Sequence, residues 1–145
     1  MTSSEQDLEN NEANIRDAAF LALTHSQAGI SNVRVGAAVL ASNSNGDSSI
    51  FPGSNVEISF SRVFHAETVA LLKAISNGYT NIKAVAVTSD SETQRAALCG
   101  YCRQDFMYVN PECMIYVFNP DKTLKLKVRL IDTMKYPYLS KGRIE

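Results

Sequence analysis

The sequence has few cysteines, no tryptophan and no long hydrophobic run. Three cysteines, an odd number, do not suit the disulfide framework of a small secreted protein, and they favour metal or thiol chemistry inside a cell. No apolar stretch approaches the ~18 residues of a membrane span, and the first residues lack the basic and then apolar pattern of a signal peptide. We therefore expect a cytoplasmic protein with no membrane partner.

The chain also lacks an excess of charge of either sign. Its 14 basic and 15 acidic side chains give a formal net charge of -1, whereas proteins that bind nucleic acids usually cluster Lys and Arg on one face. A local basic run, with Lys125, Lys127 and Arg129, alternates with Leu126 and Val128, as on an edge strand with one solvated face. We predict no nucleic-acid partner.

A length of 145 residues, of which 45% are hydrophobic, suits one domain with a single core. The first dozen residues are polar and acidic and have no apolar stripe. We predict a flexible lead-in over residues 1–12 and one domain over residues 13–145.

The pattern of apolar and turn residues predicts elements in the order α-β-β-α-β-α-β-β-α. Residues 33–56 form a hairpin in this prediction, and Pro52 indicates that its second strand lies near a sheet edge. The continuous apolar run IKAVAVTSD is typical of a central strand covered on both faces. This order predicts the α/β class, as a three-layer α/β/α sandwich on a five-stranded mixed sheet.

Two of the cysteines, Cys99 and Cys102, form a CxxC pair at the start of a predicted helix. Helix N-terminal amides favour thiolates there. Alone, the pair has three interpretations: a redox pair, half of a structural zinc site, or two packed cysteines. We interpret Cys113 as packing and His25 as a surface or helix-dipole residue.

One of the only two histidines, His65, stands two residues before Glu67 at the head of an apolar helix. One strand separates this helix from the CxxC helix, so the two helix N-termini can converge and bring His65, Cys99 and Cys102 to one ion. One nitrogen and two sulfurs suit tetrahedral Zn²⁺, and an open fourth position is typical of catalytic zinc. Glu67 can then reach the open position as a proton carrier. Each residue alone also has a purely structural explanation, but their combination favours chemistry.

His-x-Glu followed by Pro-Cys-x-x-Cys is the signature of zinc-dependent deaminases, and this chain matches it except at Leu98, which stands at the proline. The chain also resembles the free-nucleoside cytidine deaminase family over nearly its whole length. The resemblance rests on VRVGAAVL, GSNVEIS, HAE, CGYCRQ and YPYLSKGR. Three of these stretches lie outside the metal motif, which makes the resemblance specific.

The resemblance implies roles for the metal motif. His65, Cys99 and Cys102 would hold one Zn²⁺ per subunit, and zinc hydroxide would attack C4 of cytosine. Glu67 would protonate N3 and carry protons to the departing ammonia. The product would be uridine or deoxyuridine.

The resemblance also implies a nucleoside pocket. Asn55 and Glu57 would bind a ribose hydroxyl, and the backbone at Ala66 and Leu98 would contact the base edge. The family usually has an aromatic residue at Val33, where it walls the pocket, and a proline at Leu98.

A further difference from the family lies at the metal motif itself. Most short members have a third cysteine at His65 and an arginine at Thr68. Histidine in place of that cysteine removes one negative charge from the site. A compensating arginine is then not needed, and the presence of Thr68 is consistent with this.

The leading hypothesis is a cytidine or deoxycytidine deaminase of pyrimidine salvage with a small-molecule nucleoside substrate. The alternatives are a deaminase of another aminopyrimidine nucleoside such as blasticidin S, a polynucleotide-editing deaminase, and a non-catalytic zinc-stabilised domain. The resemblance implies a homo-oligomer, with a homotetramer favoured and a dimer open. Tyr136 or Tyr138 would then supply an aromatic ring to a neighbouring subunit's site.

Overall fold

The computed structural model describes residues 2–91 and 98–139. The final part of the YPYLSKGR stretch, residues 140–143, lies outside these ranges. The elements are α1 (Ser3–Leu23), β1 (Val35–Ser42), β2 (Ser48–Ser54), β3 (Val56–Ser59), β4 (Arg62–Phe64), α2 (Ala66–Ser76), β5 (Asn81–Ser89), α3 (Gly100–Val109), β6 (Met114–Phe118), β7 (Leu124–Arg129) and a 3₁₀ helix (Leu130–Thr133). No helix in the described ranges has both the length and the apolar character that a membrane crossing requires.

Five strands form the main sheet in the order β2-β1-β5-β6-β7. The β5–β6 pair is parallel and the other three pairs are antiparallel, so the predicted five-stranded mixed sheet is confirmed. Strand β2, which contains Pro52, lies at one edge as predicted. Strand β7 lies at the other edge, where Lys125 and Lys127 are exposed to solvent.

The two faces of the sheet are covered by different helices. On one face, Ala38 and Leu40 of β1 share a hydrophobic cluster with Ile15 of α1. On the other face, Ala37 and Val39 pack in a second cluster that contains residues of α2 and α3. Because neighbouring residues of a strand point to opposite faces, β1 contributes to both clusters, and the three-layer architecture is confirmed.

Helix α1 begins earlier than the sequence pattern indicates, within the predicted lead-in. Thr2 caps the helix through a capping box: its side chain accepts from the Glu5 amide, and the Glu5 carboxylate accepts from the Thr2 amide. The Asp7 carboxylate pairs with Lys83 Nζ at 2.7 Å. These contacts explain why a segment without an apolar stripe is helical, while its flexibility stays a prediction.

The predicted metal ligands lie at the N-terminal ends of α2 and α3. His65 is the N-cap of α2 and Cys99 is the N-cap of α3. Helix α2 approaches β2 closely at Gly53, where an added Cβ would lie 2.5 Å from the Ala66 carbonyl oxygen. A glycine at this position therefore sets the distance between the sheet edge and the first turn of α2.

The sequence pattern did not predict the small β3–β4 hairpin, which forms a separate two-stranded sheet. Its first strand also meets the loop that follows α1, through an isolated bridge between Gln27 and Val56. The Glu57 amide donates to the Gln27 carbonyl at 2.9 Å. The hairpin thereby places Asn55 and Glu57 beside this loop.

Candidate active site

The predicted ligands converge at the heads of α2 and α3. The Nδ1 atom of His65 lies 3.2 Å from Cys102 Sγ and 3.3 Å from Cys99 Sγ. The potential ligand atoms of these three residues, hereafter the metal cluster, all lie within 4.8 Å of one another. His65 and Cys99 are exposed whereas Cys102 is buried, so the metal cluster has an inner wall and a side that is open to a ligand.

The CxxC pair is folded by its own helix. The Cys99 sulfur accepts from the Cys102 amide at 3.4 Å, as an N-cap side chain does. Burial raises the pKa of the Cys102 thiol, and the neighbouring Glu67 carboxylate raises it further. A metal ion that binds here therefore displaces thiol protons. One imidazole and two sulfurs, with an exposed side, fit a tetrahedral Zn²⁺ with one position for a ligand.

Glu67 is buried in the first turn of α2, with 4% of its surface exposed. Burial raises the pKa of its carboxyl group, while a hydrogen bond with Cys102 acts in the opposite direction. A buried carboxyl group with a raised pKa beside an exposed metal position suits general acid–base chemistry.

A cavity of about 440 Å³ opens beside the metal cluster. His65, Cys99 and Glu67 contribute to its lining. The predicted substrate residues also line it: Val33, Asn55, Glu57, Ala66 and Leu98. The structure thus brings all the predicted pocket residues together, although they come from four separate parts of the chain.

Glu57 is held by a loop that the sequence analysis did not connect with it. Its Oε1 atom accepts from the Ile30 amide at 3.0 Å and the Ser31 amide at 2.9 Å. Hydrogen bonds from Ser31 are the main cause of a lowered pKa for this carboxyl group. Both of these backbone bonds end on Oε1, so Oε2 can accept a hydrogen bond from a ligand hydroxyl.

Asn55 has a structural task that the sequence analysis missed. Its Oδ1 atom accepts from the Val35 amide at 2.9 Å and from the Ser26 hydroxyl. Its Nδ2 atom donates to the Val33 carbonyl at 2.7 Å. The side chain clamps the cavity wall with these bonds, and the second hydrogen on Nδ2 is the one that can reach a ligand.

Leu98 has an unusual backbone conformation. Its φ is 65°, in the left-handed region, and its side chain is buried with 1% exposed. Proline is confined to φ near −65°. The proline that the family usually has at this position is therefore incompatible with the backbone of this chain.

The Leu98→Pro variant should be destabilised by more than about 1 kcal/mol, because the left-handed conformation excludes proline. Thermal unfolding of the zinc-loaded protein would measure the loss. Leu98→Met is the matched control, since it keeps side-chain volume and backbone freedom. Equal melting temperatures for the two variants would contradict the assigned conformation.

The residues that the sequence analysis missed come from loops. Ile30 and Ser31 hold Glu57, and Ser26 holds Asn55. No periodicity marks them, because their role depends on the path of the loop after α1 and not on a helix or strand repeat.

Residues 9–117 match the family described as the cytidine and deoxycytidylate deaminase zinc-binding region. The chain belongs to this family. The matched region contains the metal cluster, and the geometry of that cluster fits the zinc for which the family is described. The cofactor is Zn²⁺, one per subunit, and the family predicted from the sequence is confirmed.

Known members of the family are similar to this chain. A probable cytidine deaminase of Dictyostelium discoideum is 38% identical over 89 residues, which cover 61% of this chain and 58% of that protein. A cytidine deaminase of Sporosarcina psychrophila is 39% identical over 87 residues, which cover 59% and 60%. The matches thus span less than two thirds of either curated relative.

A solved structure is similar over almost the whole fold. The cytidine deaminase from Burkholderia pseudomallei superposes with a TM-score of 0.75 at 27% identity. The superposition covers 87% of this chain and 98% of that one. The architecture described above is therefore the cytidine deaminase fold.

Proposed function

We propose that the protein is a zinc-dependent enzyme that hydrolytically deaminates cytidine and deoxycytidine to uridine and deoxyuridine. One observation carries this proposal: a single cavity is lined by His65 and Cys99 of the metal cluster, by the buried Glu67 and by Glu57. The relatives named cytidine deaminases support it. His65, Cys99 and Cys102 are the proposed zinc ligands.

The proposed chemistry divides between the metal and the protein. Bound Zn²⁺ supplies Lewis-acid activation of water for attack on C4 of the base. Glu67 gives its proton to N3. It then takes up the proton of the C4 hydroxyl as the carbonyl forms there and passes it to the amine, which leaves as ammonia. Glu67 is buried, and burial raises the pKa of its carboxyl group, which favours the protonated form.

Binding of the sugar is assigned to Glu57 in the wall of the same cavity. The Glu57 carboxylate accepts from a ribose hydroxyl through Oε2, while Oε1 stays on the amides of Ile30 and Ser31. A carboxylate that is built to accept a hydroxyl discriminates against ligands that lack one. Val33, Ala66 and the Leu98 backbone then border the base.

Glu57→Gln should lower kcat/KM for cytidine by at least about tenfold, because a hydrogen bond to a charged acceptor is weakened. Activity on free cytosine, which has no sugar, is the comparison within each protein. Steady-state kinetics should show that the variant loses much more on cytidine than on cytosine. Equal losses on both would contradict a role for Glu57 in sugar binding.

Ammonia release from a panel of compounds tests the function itself. The zinc-loaded protein should act on cytidine and deoxycytidine and leave blasticidin S, single-stranded DNA and RNA unchanged. Activity on blasticidin S alone would support the alternative substrate, for which the small Val33 side chain provides room. Zinc binding without activity on any of them would indicate a non-catalytic zinc-stabilised domain.

We also infer that the chain forms a homo-oligomer, with a tetramer favoured over a dimer. A second cavity, of about 950 Å³ and here called the outer groove, lies on the other side of His65 and is lined by apolar residues that include Phe64 and Leu71. Two of its lining residues are strongly exposed: Leu72 by 55% and Tyr101 by 79%. Contiguous exposed apolar surface of this kind is typical of an interface, and we assign it to a second copy of the chain.

The two tyrosines proposed to reach a neighbouring subunit differ in their surroundings. Tyr138 packs edge-to-face on Tyr108 of its own chain at 5.8 Å and exchanges hydrogen bonds with Gln104. Tyr136 is 99% exposed. Tyr136 is therefore the better choice for a ring that enters a neighbour's site.

Light scattering of the zinc-loaded protein should give the mass of a tetramer.

The proposed cellular role is pyrimidine salvage in the cytoplasm. A cavity with a carboxylate for a sugar hydroxyl suits free nucleosides, and the three cysteines are free thiols. Thiols stay reduced in the cytosol, where they can hold zinc.

A further inference from the structure

A threonine links the metal cluster to an acidic side chain behind it. The Oγ1 atom of Thr68, on α2, lies 3.7 Å from Cys102 Sγ. The same hydroxyl donates to Asp105 Oδ2 at 3.1 Å. Both α3 residues are acceptors when they are negatively charged, yet a threonine hydroxyl has one hydrogen to donate.

Metal binding changes the number of hydrogens that Cys102 and Thr68 can donate. While Cys102 is a thiol, its S–H can point to the Thr68 oxygen, and Thr68 can donate to Asp105. Zinc takes cysteine as a thiolate, so the sulfur then has no hydrogen. Cys102 and Asp105 become two acceptors for the single hydrogen of Thr68.

The Thr68–Asp105 pair lies away from the proposed substrate. Both residues line the outer groove, whereas neither lines the cavity that contains Glu57 and Glu67. Their effect on the reaction must therefore pass through the metal cluster and not through contact with a nucleoside.

We propose that Thr68 is a positioning residue of the zinc site. Its hydroxyl donates to the Cys102 thiolate when zinc is bound, and Asp105 competes for that hydrogen and thereby limits the affinity for zinc. This inference rests on the proposed assignment of Cys102 as a ligand. Outer partners of metal ligands typically change metal affinity by about tenfold to a hundredfold.

The test is the zinc affinity of four variants, measured by competition with a chromophoric chelator. Thr68→Val, which removes the hydroxyl and keeps the shape, should weaken zinc binding about tenfold or more. Thr68→Ser keeps the hydroxyl and should bind zinc like the original chain. Asp105→Asn should bind zinc more tightly, because the new amide donates to Thr68 Oγ1 and leaves the hydroxyl hydrogen for the thiolate.

The double variant, Thr68→Val with Asp105→Asn, distinguishes competition for the Thr68 hydrogen from the effect of removing the Asp105 charge. With Val at position 68 there is no hydrogen to compete for, so Asp105→Asn should lose most of its benefit. Weaker zinc binding by Asp105→Asn, or an equal benefit in both backgrounds, would overturn the competition. Unchanged zinc affinity in Thr68→Val would overturn the role of Thr68.

Cobalt substitution distinguishes failure of this inference from failure of the ligand assignment. The Co²⁺ form of the original chain should show a thiolate-to-cobalt charge-transfer band that shifts in Thr68→Val and not in Thr68→Ser. Absence of the band in the original chain would contradict the ligand assignment. A band that is the same in all forms would contradict the inference alone. Thermal unfolding of the metal-free variants checks folding, and Thr68→Ala replaces the valine variant if that one does not fold.

Discussion

Glu67→Gln is expected to keep its zinc and lose about a hundredfold to ten-thousandfold of kcat for cytidine. Glutamine preserves the size of the side chain and cannot take up and release a proton. The position is 4% exposed and its carboxyl has a raised pKa, so the lost group is a proton donor held next to the metal cluster. Turnover by ultraviolet absorbance and zinc content by atomic spectroscopy would measure the two quantities.

Glu9→Gln is the matched control for Glu67→Gln. It makes the same chemical change on the exposed surface of α1, and both zinc content and kcat should stay unchanged. A Glu67→Gln protein that deaminates cytidine at a near-normal rate would show that the proton carrier lies elsewhere. Loss of zinc from that variant would instead assign Glu67 to holding the site together.

Cys102→Ala should abolish stoichiometric zinc binding and with it the deaminase activity. Its sulfur is the buried member of the metal cluster, 3.2 Å from His65 Nδ1. Removal leaves two ligands where a catalytic zinc site uses three protein ligands. The melting temperature should also become insensitive to added zinc, because a ligand stabilises a fold only through binding to it.

Cys113→Ala provides a matched control, since Cys113 is also fully buried. Burial raises the pKa of this thiol to about 12, and Cys113 is not a member of the metal cluster. Both alanine variants lose packing, but Cys113→Ala should keep one zinc per subunit. Retention of zinc by Cys102→Ala would contradict the proposed ligand set.

The main sheet was predictable because its strands carry strong patterns. The apolar run of β5 is buried on both faces, and Pro52 marks an edge, so both features follow from local composition. The β3–β4 hairpin has strands of four and three residues, too short for an alternation of apolar and polar residues to be distinguished from a loop. The start of α1 at Ser3 depends on a cap and an ion pair with distant Lys83, which periodicity does not reveal.

The metal cluster was predictable for a different reason. Histidine and cysteine are scarce in this chain. Only one strand separates the helix that follows His65 from the helix that contains Cys102, and this limits how far apart the starts of the two helices can lie. The partners of Glu57, Asn55 and Thr68 were not predictable. They are backbone amides, a loop serine and an aspartate on another helix, and only the folded path of the chain brings them into contact.

The contact between Gly53 and the Ala66 carbonyl has a consequence for redesign of this protein. An edge strand is ordinarily the part of a sheet that tolerates substitution best, yet at Gly53 strand β2 acts as a spacer for the first turn of α2. A side chain there would push His65 and Glu67 away together. The proposed metal ligand and the proposed proton carrier would keep their relation to each other and lose their relation to Glu57, the proposed sugar ligand. We expect a substitution at Gly53 to misalign a bound nucleoside before it weakens zinc binding.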